Sequence, residues 1–227
     1  SGWLAASSGA IKENAGDPPH IILFPEIFFD QKAFLKQVKK IIDKFGYCVI
    51  VTSEGIRKKG NKFLSDSGLK DSFGHAQLGG VAPVLSNMIM NKLKYKVHWA
   101  VSDYLQRAAR HIASEVDVDQ AYQLGIEAIE YAKNKISDVM LTIRDDSKDN
   151  VYKWSISHTS LNKVANVEKM LPKRFIKSNG FEITKPCKNY ILNLIKGEDY
   201  PSYSFGYPKY AKLKCKIINK KLKPYKL

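Results

Sequence analysis

Acidic side chains are the first shortage. Across 227 residues, 22 Asp and Glu stand against 37 Lys and Arg, for a formal net charge of +15. The field of a chain this basic favours anionic partners: nucleic acid, acidic lipid or phosphorylated metabolites. The imbalance is uneven, because residues 149–227 alone carry 17 Lys and Arg against 5 Asp and Glu. Cysteine is also scarce. Cys48, Cys187 and Cys215 are an odd, widely spaced set with no CxxC and no Cys/His ligand spacing, which argues against a zinc site or a disulfide framework and fits a reducing compartment. Cys48 lies in an apolar run and reads as a small buried hydrophobe. No apolar stretch approaches the ~20 residues that cross a bilayer, so no membrane partner is expected. The opening SGWLAASSGA lacks the basic head and long apolar core of a signal peptide. Also absent are GxGxxG, a Walker loop, GxSxG and HExxH.

What is present is the alternation of an α/β domain. A hydrophobic share of 44% with 11% aromatics is globular. Residues 3–14 read as a helix broken by DPPH. HIILFPE (20–26) reads as a buried strand. Asp30 is placed to cap a helix over 31–45, where Phe34, Leu35, Val38, Ile41, Ile42 and Phe45 recur at helical steps before Gly46. YCVIVTSEG (47–55) is a second buried strand. Strand, helix and strand within about 30 residues make a βαβ unit with parallel pairing.

Residues 56–80 form a long polar, Gly-rich connection, and PVLSNMIMNKLK (83–94) a helix. YKVHWAV (95–101) alternates as a third strand. A helix begins near Arg107, and VDVDQAYQLGIEAIEYAKNKIS (116–137) is the clearest helix, with Ala121, Leu124, Ala128, Ile129 and Ala132 on one face. DVMLTIR (138–144) and YKWSISH (152–158) are expected to pair antiparallel. Beyond residue 160 the periodicity loosens, apart from a helix over 185–197 and a basic tail.

Few positions carry chemistry. Glu54 follows the carboxyl end of a buried strand, where ligands bind in open α/β sheets; it could accept hydrogen bonds from sugar hydroxyls or simply cap a helix. Tyr104 and Arg107 also follow a strand end and stand one helical turn apart, which suits a phosphate held by a guanidinium fork but suits a solvated basic face as well. Arg110 and His111 read as structural. His75 and the pair Gly79–Gly80 end the long connection, where glycine would let backbone approach a phosphate. The Lys/Tyr mixture of 198–227 could bind nucleic acid by charge and stacking, but no RNA- or DNA-binding motif accompanies it.

Taken in order, SGWLAASS, PPHIILFPE, VIVTSEG, FGHAQLGG, DYLQRAARHIASEVD, ANVEKMLP and GEDYP resemble the phosphofructokinase family, in particular its pyrophosphate-dependent bacterial members. The likeness spans nearly the whole chain. It implies an α/β phosphofructokinase fold, with a Rossmann-like parallel sheet flanked by helices, part of a second α/β domain and a C-terminal extension. The corresponding segments are 1–105 for sugar-phosphate binding, 106–148 returning to the donor-side domain, and a basic extension over 149–227. The resemblance also implies phosphoryl transfer to the 1-hydroxyl of fructose 6-phosphate with pyrophosphate as donor and Mg²⁺ as cofactor, in the cytoplasm and in a homo-oligomer. By that likeness Glu54 binds the sugar and Tyr104 and Arg107 bind the 6-phosphate, with Tyr104 standing where many ATP-dependent relatives have histidine. A further basic contact comes from the preceding strand, where the nearest candidate is His98.

The family's MGR(H) motif, its GGDGS-like donor loop and its TIDND-like segment with the catalytic aspartate do not occur in these residues. The resemblance is thus to the C-terminal portion: the catalytic group and most of the Mg²⁺ ligands are expected upstream or on a second chain, and these residues alone are expected to be inactive. Alternatives are a non-catalytic regulatory or structural subunit of the family, and an ATP-dependent member. A nucleic-acid-binding module is a third possibility. It predicts salt-dependent binding of the purified chain to generic duplex DNA, and no binding at low salt dismisses it.

Overall fold

The computed structural model describes residues 2–70, 76–78, 80–148, 151–215 and 219–223. Its centre is β1 (Ile21–Leu23), every residue of which is buried. The alternation of a strand sends successive side chains to opposite faces. Ile21 and Leu23 enter one core, Ile22 and the following Phe24 enter another.

The first core is closed by α1 (Gly2–Ser7) and a short 3-10 turn over Ser8–Ile11, through Ala5, Ala6 and Ala10. Small residues let this helix lie close to the strand. Lys12 is already extended, so the helix expected over 3–14 stops early. The Asp17 carboxylate accepts from the backbone N–H groups of Glu13 and Asn14, a local turn that competes with helix.

The second core is built on α2 (Gln31–Phe45), which buries Phe34 and Val38. Asp30 caps it by accepting from the Ala33 N–H at 3.0 Å, and Gly46 ends it at φ 81°, a left-handed conformation that glycine adopts without penalty. β2 (Ile50–Thr52) then pairs parallel with β1 in the register Ile21 with Ile50. The expected βαβ unit is present.

The connection over 56–80 holds more structure than expected. Two short strands, β3 (Asp66–Lys70) and β4 (Ala76–Leu78), pair antiparallel, and Ile56 and Leu64 pin the connection to the second core. Next, α3 (Val81–Leu93) packs Val81, Leu85 and Ile89 into that core. YKVHWAV forms no strand, contrary to expectation. Its alternation survives in burial, since Tyr95 and Val97 pack on the second core while Lys96 and His98 are exposed. The physical reason is that no strand lies beside it among the described residues.

A short α4 (Leu105–Ala108) leads to α5 (Glu115–Lys133), capped by Ser114. As expected, β5 (Val139–Asp145) and β6 (Trp154–Ser160) form an antiparallel pair. The expected apolar face of α5 is largely uncovered: Ala121, Ala128, Ile129 and Ala132 are exposed, and only Gln120 of the helix is buried.

The loosely patterned C-terminal region supplies the other half of the first core. Leu171, Phe175, Ile183, and Cys187 and Ile191 from α6 (Lys185–Leu194) pack against α1 and Ile22. Trp3 meets Phe175 and Tyr190 edge-on or tilted at 6.0 and 5.7 Å, and its indole N–H donates to the Lys169 carbonyl. The N–H of Ile22 donates to the Phe181 carbonyl, which covers the outer edge of β1. The region read as irregular contains a small hairpin of β7 (Tyr203–Ser204) and β8 (Tyr207–Pro208). The three cysteines are free, and burial pushes the Cys48 and Cys187 thiols up to about 11.

His20 joins β1 to β2. It is buried, its Nδ1 accepts from the Val49 N–H at 3.0 Å, and its Nε2–H donates to the Gly16 carbonyl at 3.1 Å. A protonated ring cannot accept from Val49, and burial lowers the histidine below its ordinary value. A histidine depressed in the folded state binds protons more readily when unfolded, so its contribution to stability is present above the unfolded value near 6.5 and is lost as pH falls. Thermal midpoints should therefore decline between about pH 7 and 5.5, above the carboxylate range, and His20→Gln should flatten that decline.

Candidate functional site

A cleft of about 1200 Å³ runs along the length of β2, walled by residues 46–54 on one side and by residues 95–103 on the other. Two of the residues singled out from sequence meet there: Glu54 and His98 both line it.

Glu54 reaches this position because β2 ends in a tight turn. Ser53 is buried, and its hydroxyl accepts from the Gly55 N–H at 3.3 Å. Gly55 lies against Pro25, where an added β-carbon would sit 3.4 Å from the proline ring. The chain therefore turns sharply, and the Glu54 carboxylate is left exposed with no hydrogen bond among the described residues. A solvated carboxylate at a strand end can accept from ligand hydroxyls without first breaking an internal bond.

His98 is exposed on the opposite wall, on the strand face that also carries Lys96. The wall ends at Asp103, whose φ is 45°. Tyr104 follows at once at the head of α4, with 63% of its surface exposed, beside the cleft rather than in its lining. Arg107 lies within α4, one turn after Tyr104, and its side chain is outside the described residues. The structure thus joins Glu54 and His98 in one cleft and sets Tyr104 next to its rim.

Of the glycine pair expected to approach a ligand, Gly80 lines the cleft at φ 89°, while Gly79 and His75 lie outside the described residues. Arg110 is structural, as read: its guanidinium donates to the Asp199 backbone carbonyl at 2.6 Å and pairs with the Asp199 carboxylate at 3.0 Å. Asp199 N–H in turn donates to the Ala113 carbonyl, so GEDYP latches the chain that follows α4. Both side chains are well exposed, so the ion pair is worth at most about 1 kcal/mol and acts mainly to orient.

Glu26 is the residue sequence reasoning passed over. It lies past the carboxyl end of β1, as Glu54 lies past β2. One of its oxygens accepts from the Leu171 N–H at 2.8 Å, and the other is buried with no partner among the described residues. It sits so close to Gly2 that any side chain there would overlap the carboxylate. The available signal was FPE repeating the strand-then-carboxylate pattern of TSE. Among the described residues no three His, Cys, Asp or Glu come together to hold a metal ion, and no helix is long and apolar enough to cross a membrane.

No family model matches the chain. Known proteins do. The chain is 49% identical over 227 residues to a pyrophosphate–fructose 6-phosphate 1-phosphotransferase of Halomonas elongata, covering 100% of this chain and 54% of that protein. It is 49% identical over 222 residues to a protein of the same description from Methylococcus capsulatus, covering 98% and 53%. The crystal structure of a pyrophosphate-dependent phosphofructokinase from Marinobacter aquaeolei superposes with a TM-score of 0.84 at 44% identity, covering 98% of this chain and 52% of that one. The chain spans about half the length of the relatives it matches.

Proposed function

We propose, because the chain belongs to the pyrophosphate-dependent phosphofructokinase family, that it forms the fructose 6-phosphate side of an enzyme that phosphorylates that sugar at its 1-hydroxyl. The observation that carries the reading is 49% identity along the entire chain to a relative of that description, and Glu54 and His98 both line one cleft.

In this reading the residues of the chain bind and orient, while the proton transfer is done elsewhere. Glu54 accepts hydrogen bonds from sugar hydroxyls. The Arg107 guanidinium grips the 6-phosphate with a charge-assisted fork, Tyr104 donates its phenol to the same group, and His98 adds a further donor. The reaction breaks a bridging P–O bond of pyrophosphate, forms a P–O bond to the sugar's O1, and releases phosphate. The hydroxyl proton passes to a base outside these residues, since the family's catalytic aspartate segment does not occur here. Mg²⁺ would neutralise charge on the donor phosphates. The described residues offer it no cluster of ligands, so no step is assigned through it on this chain. The same reading takes residues 1–105, 106–148 and 149–227 as the sugar-phosphate domain, the return to the donor-side domain and the extension. It also places the enzyme in the cytoplasm as part of glycolysis, as a homo-oligomer completed by the remaining portion of the enzyme.

Two outcomes follow. In the completed enzyme, Arg107→Ala should raise the KM for fructose 6-phosphate roughly 30- to 150-fold, the equivalent of about 2 to 3 kcal/mol of lost charge-assisted bonding, with a smaller effect on the KM for pyrophosphate. An unchanged sugar KM removes Arg107 from the site. The purified 227-residue chain by itself should show no pyrophosphate-dependent phosphorylation of fructose 6-phosphate, because orientation without the base and donor site leaves most of the barrier in place. Turnover by the chain alone would refute the division of labour.

A further inference from the structure

A second cavity, of about 390 Å³, lies toward the amino end of β1, away from Glu54 and its cleft. Its size falls within the roughly 300 to 1,000 Å³ of small-molecule sites. The back wall is apolar and closely packed. Ile22 and Ile183 are buried there, and Gly9 lies so near them that an added β-carbon would sit 2.9 Å from each. Backbone bonds hold this wall in place. The Ile22 N–H donates to the Phe181 carbonyl, the Lys177 N–H to the Glu182 carbonyl, and the Thr184 N–H to the Phe175 carbonyl.

Four lysines line this one cavity: Lys12 after the 3-10 turn, Lys177 ahead of Ile183, and Lys185 and Lys188 near the start of α6. Two acidic residues share the lining. Glu13 is exposed and forms no ion pair among the described residues. Glu182 is already committed on both oxygens. Its Oε2 accepts from the Lys177 ammonium at 2.8 Å, and its Oε1 accepts from the Asn179 amide at 2.8 Å. Lys12 is only 17% exposed at its side chain, and its ammonium stands 3.8 Å from Glu182, too far for a hydrogen bond. Lys188 is half-buried and spends one of its three protons on the Lys12 carbonyl. Both ammonium groups therefore keep unused donors in a partly dry space, where like charges repel more than they do in open water.

We propose that this cavity is a second anion site, which takes a small phosphoester: its phosphate is held by Lys12 and Lys188, with Lys185 at the mouth, and its carbon body rests on Ile22 and Ile183. The phosphate oxygens supply the acceptors that Glu182 lacks, and a charge-assisted bond to each ammonium offsets the repulsion between them. The apolar wall distinguishes this site from a patch of solvated lysines. A bare anion would use only the ammonium groups, whereas an organic phosphate would also cover apolar surface. The proposal concerns residues outside the sugar cleft and stands whether or not that cleft binds fructose 6-phosphate.

The test is a titration of the purified chain with phenyl phosphate and, separately, inorganic phosphate, followed by backbone amide resonances at about 0.15 M salt, where exposed charges are largely screened. Phenyl phosphate should shift Gly9, Ala15, Thr184 and Lys185 along one saturable curve and bind several-fold more tightly than inorganic phosphate. Lys12→Met and Lys188→Met should each weaken it tenfold or more. Lys185→Gln, at an exposed side chain, should keep the circular dichroism of the unaltered chain and weaken binding several-fold, which guards against misfolding of the other two. Arg107→Ala and Lys40→Met, the latter on the exposed face of α2, should leave these shifts unchanged. The proposal is overturned by the absence of a saturable shift at these residues, by equal affinity for the two probes, by a loss with Lys40→Met as large as with Lys188→Met, or by unaltered binding in the folded Lys185→Gln variant. Loss of the shifts in Arg107→Ala would also overturn it, by assigning the anion to the sugar cleft.

Discussion

Everything in this protein depends on a strand of three residues being buried on both faces. Ile21 and Leu23 on one side and Ile22 and Phe24 on the other must each find a layer to pack against. Full burial of such a side chain is worth roughly 1.5 to 3 kcal/mol, so leaving either face bare would forfeit much of the stability a small domain has. The first face is covered from both ends of the sequence, by the alanines of α1 and by Leu171 to Ile191. The second is covered by α2, α3 and the connection between β2 and α3. The chain closes on itself because the strand demands it.

The position of the candidate site follows from this arrangement. β2 can pair only where β1 is held, and its last turn throws Glu54 into the cleft through the buried Ser53 and the close approach of Gly55 to Pro25. Across the cleft, Tyr95 and Val97 anchor the opposite wall in the second core and so set the height of His98. The Arg110–Asp199 pair and the Ala113–Asp199 bond steady the chain beyond α4 from the far end of the sequence. The sugar-binding chemistry proposed here would therefore be positioned by packing, with little direct bonding between the site residues themselves. The uncovered stripe on α5, with Tyr122 and Ile129 at 69% and 62% exposure, is the kind of surface that soluble proteins cover with a partner.

Much of this was legible in the residues. The βαβ unit, the Asp30 cap, the Gly46 stop, the amphipathic α2 and the β5–β6 pair all follow from local chemistry: periodicity, capping oxygens and left-handed glycine act within a few residues of themselves. Glu54 stood out because a carboxylate after a buried strand is a local pattern too. Glu26 shows the same pattern and was passed over, since only its unpaired oxygen and its contact with Gly2 distinguish it. The early end of α1 was hidden because the side chain of Asp17 competes for the backbone N–H groups of Glu13 and Asn14.

The sequence by itself determined the β1–α2–β2 unit, the longer helices and the β5–β6 pair, and that the chain resembles pyrophosphate-dependent phosphofructokinases and is rich in positive charge. Tertiary structure alone decided which of those segments find partners. YKVHWAV has the alternation of a strand, but a strand also needs a neighbour, and pairing is a property of two segments rather than one. For the same reason the loosely patterned stretch from 171 to 191 proved to be core: its apolar residues show no period because they are matched to Trp3, Ala6 and Ile22 across more than 140 residues, and no local window contains both sides of that contact.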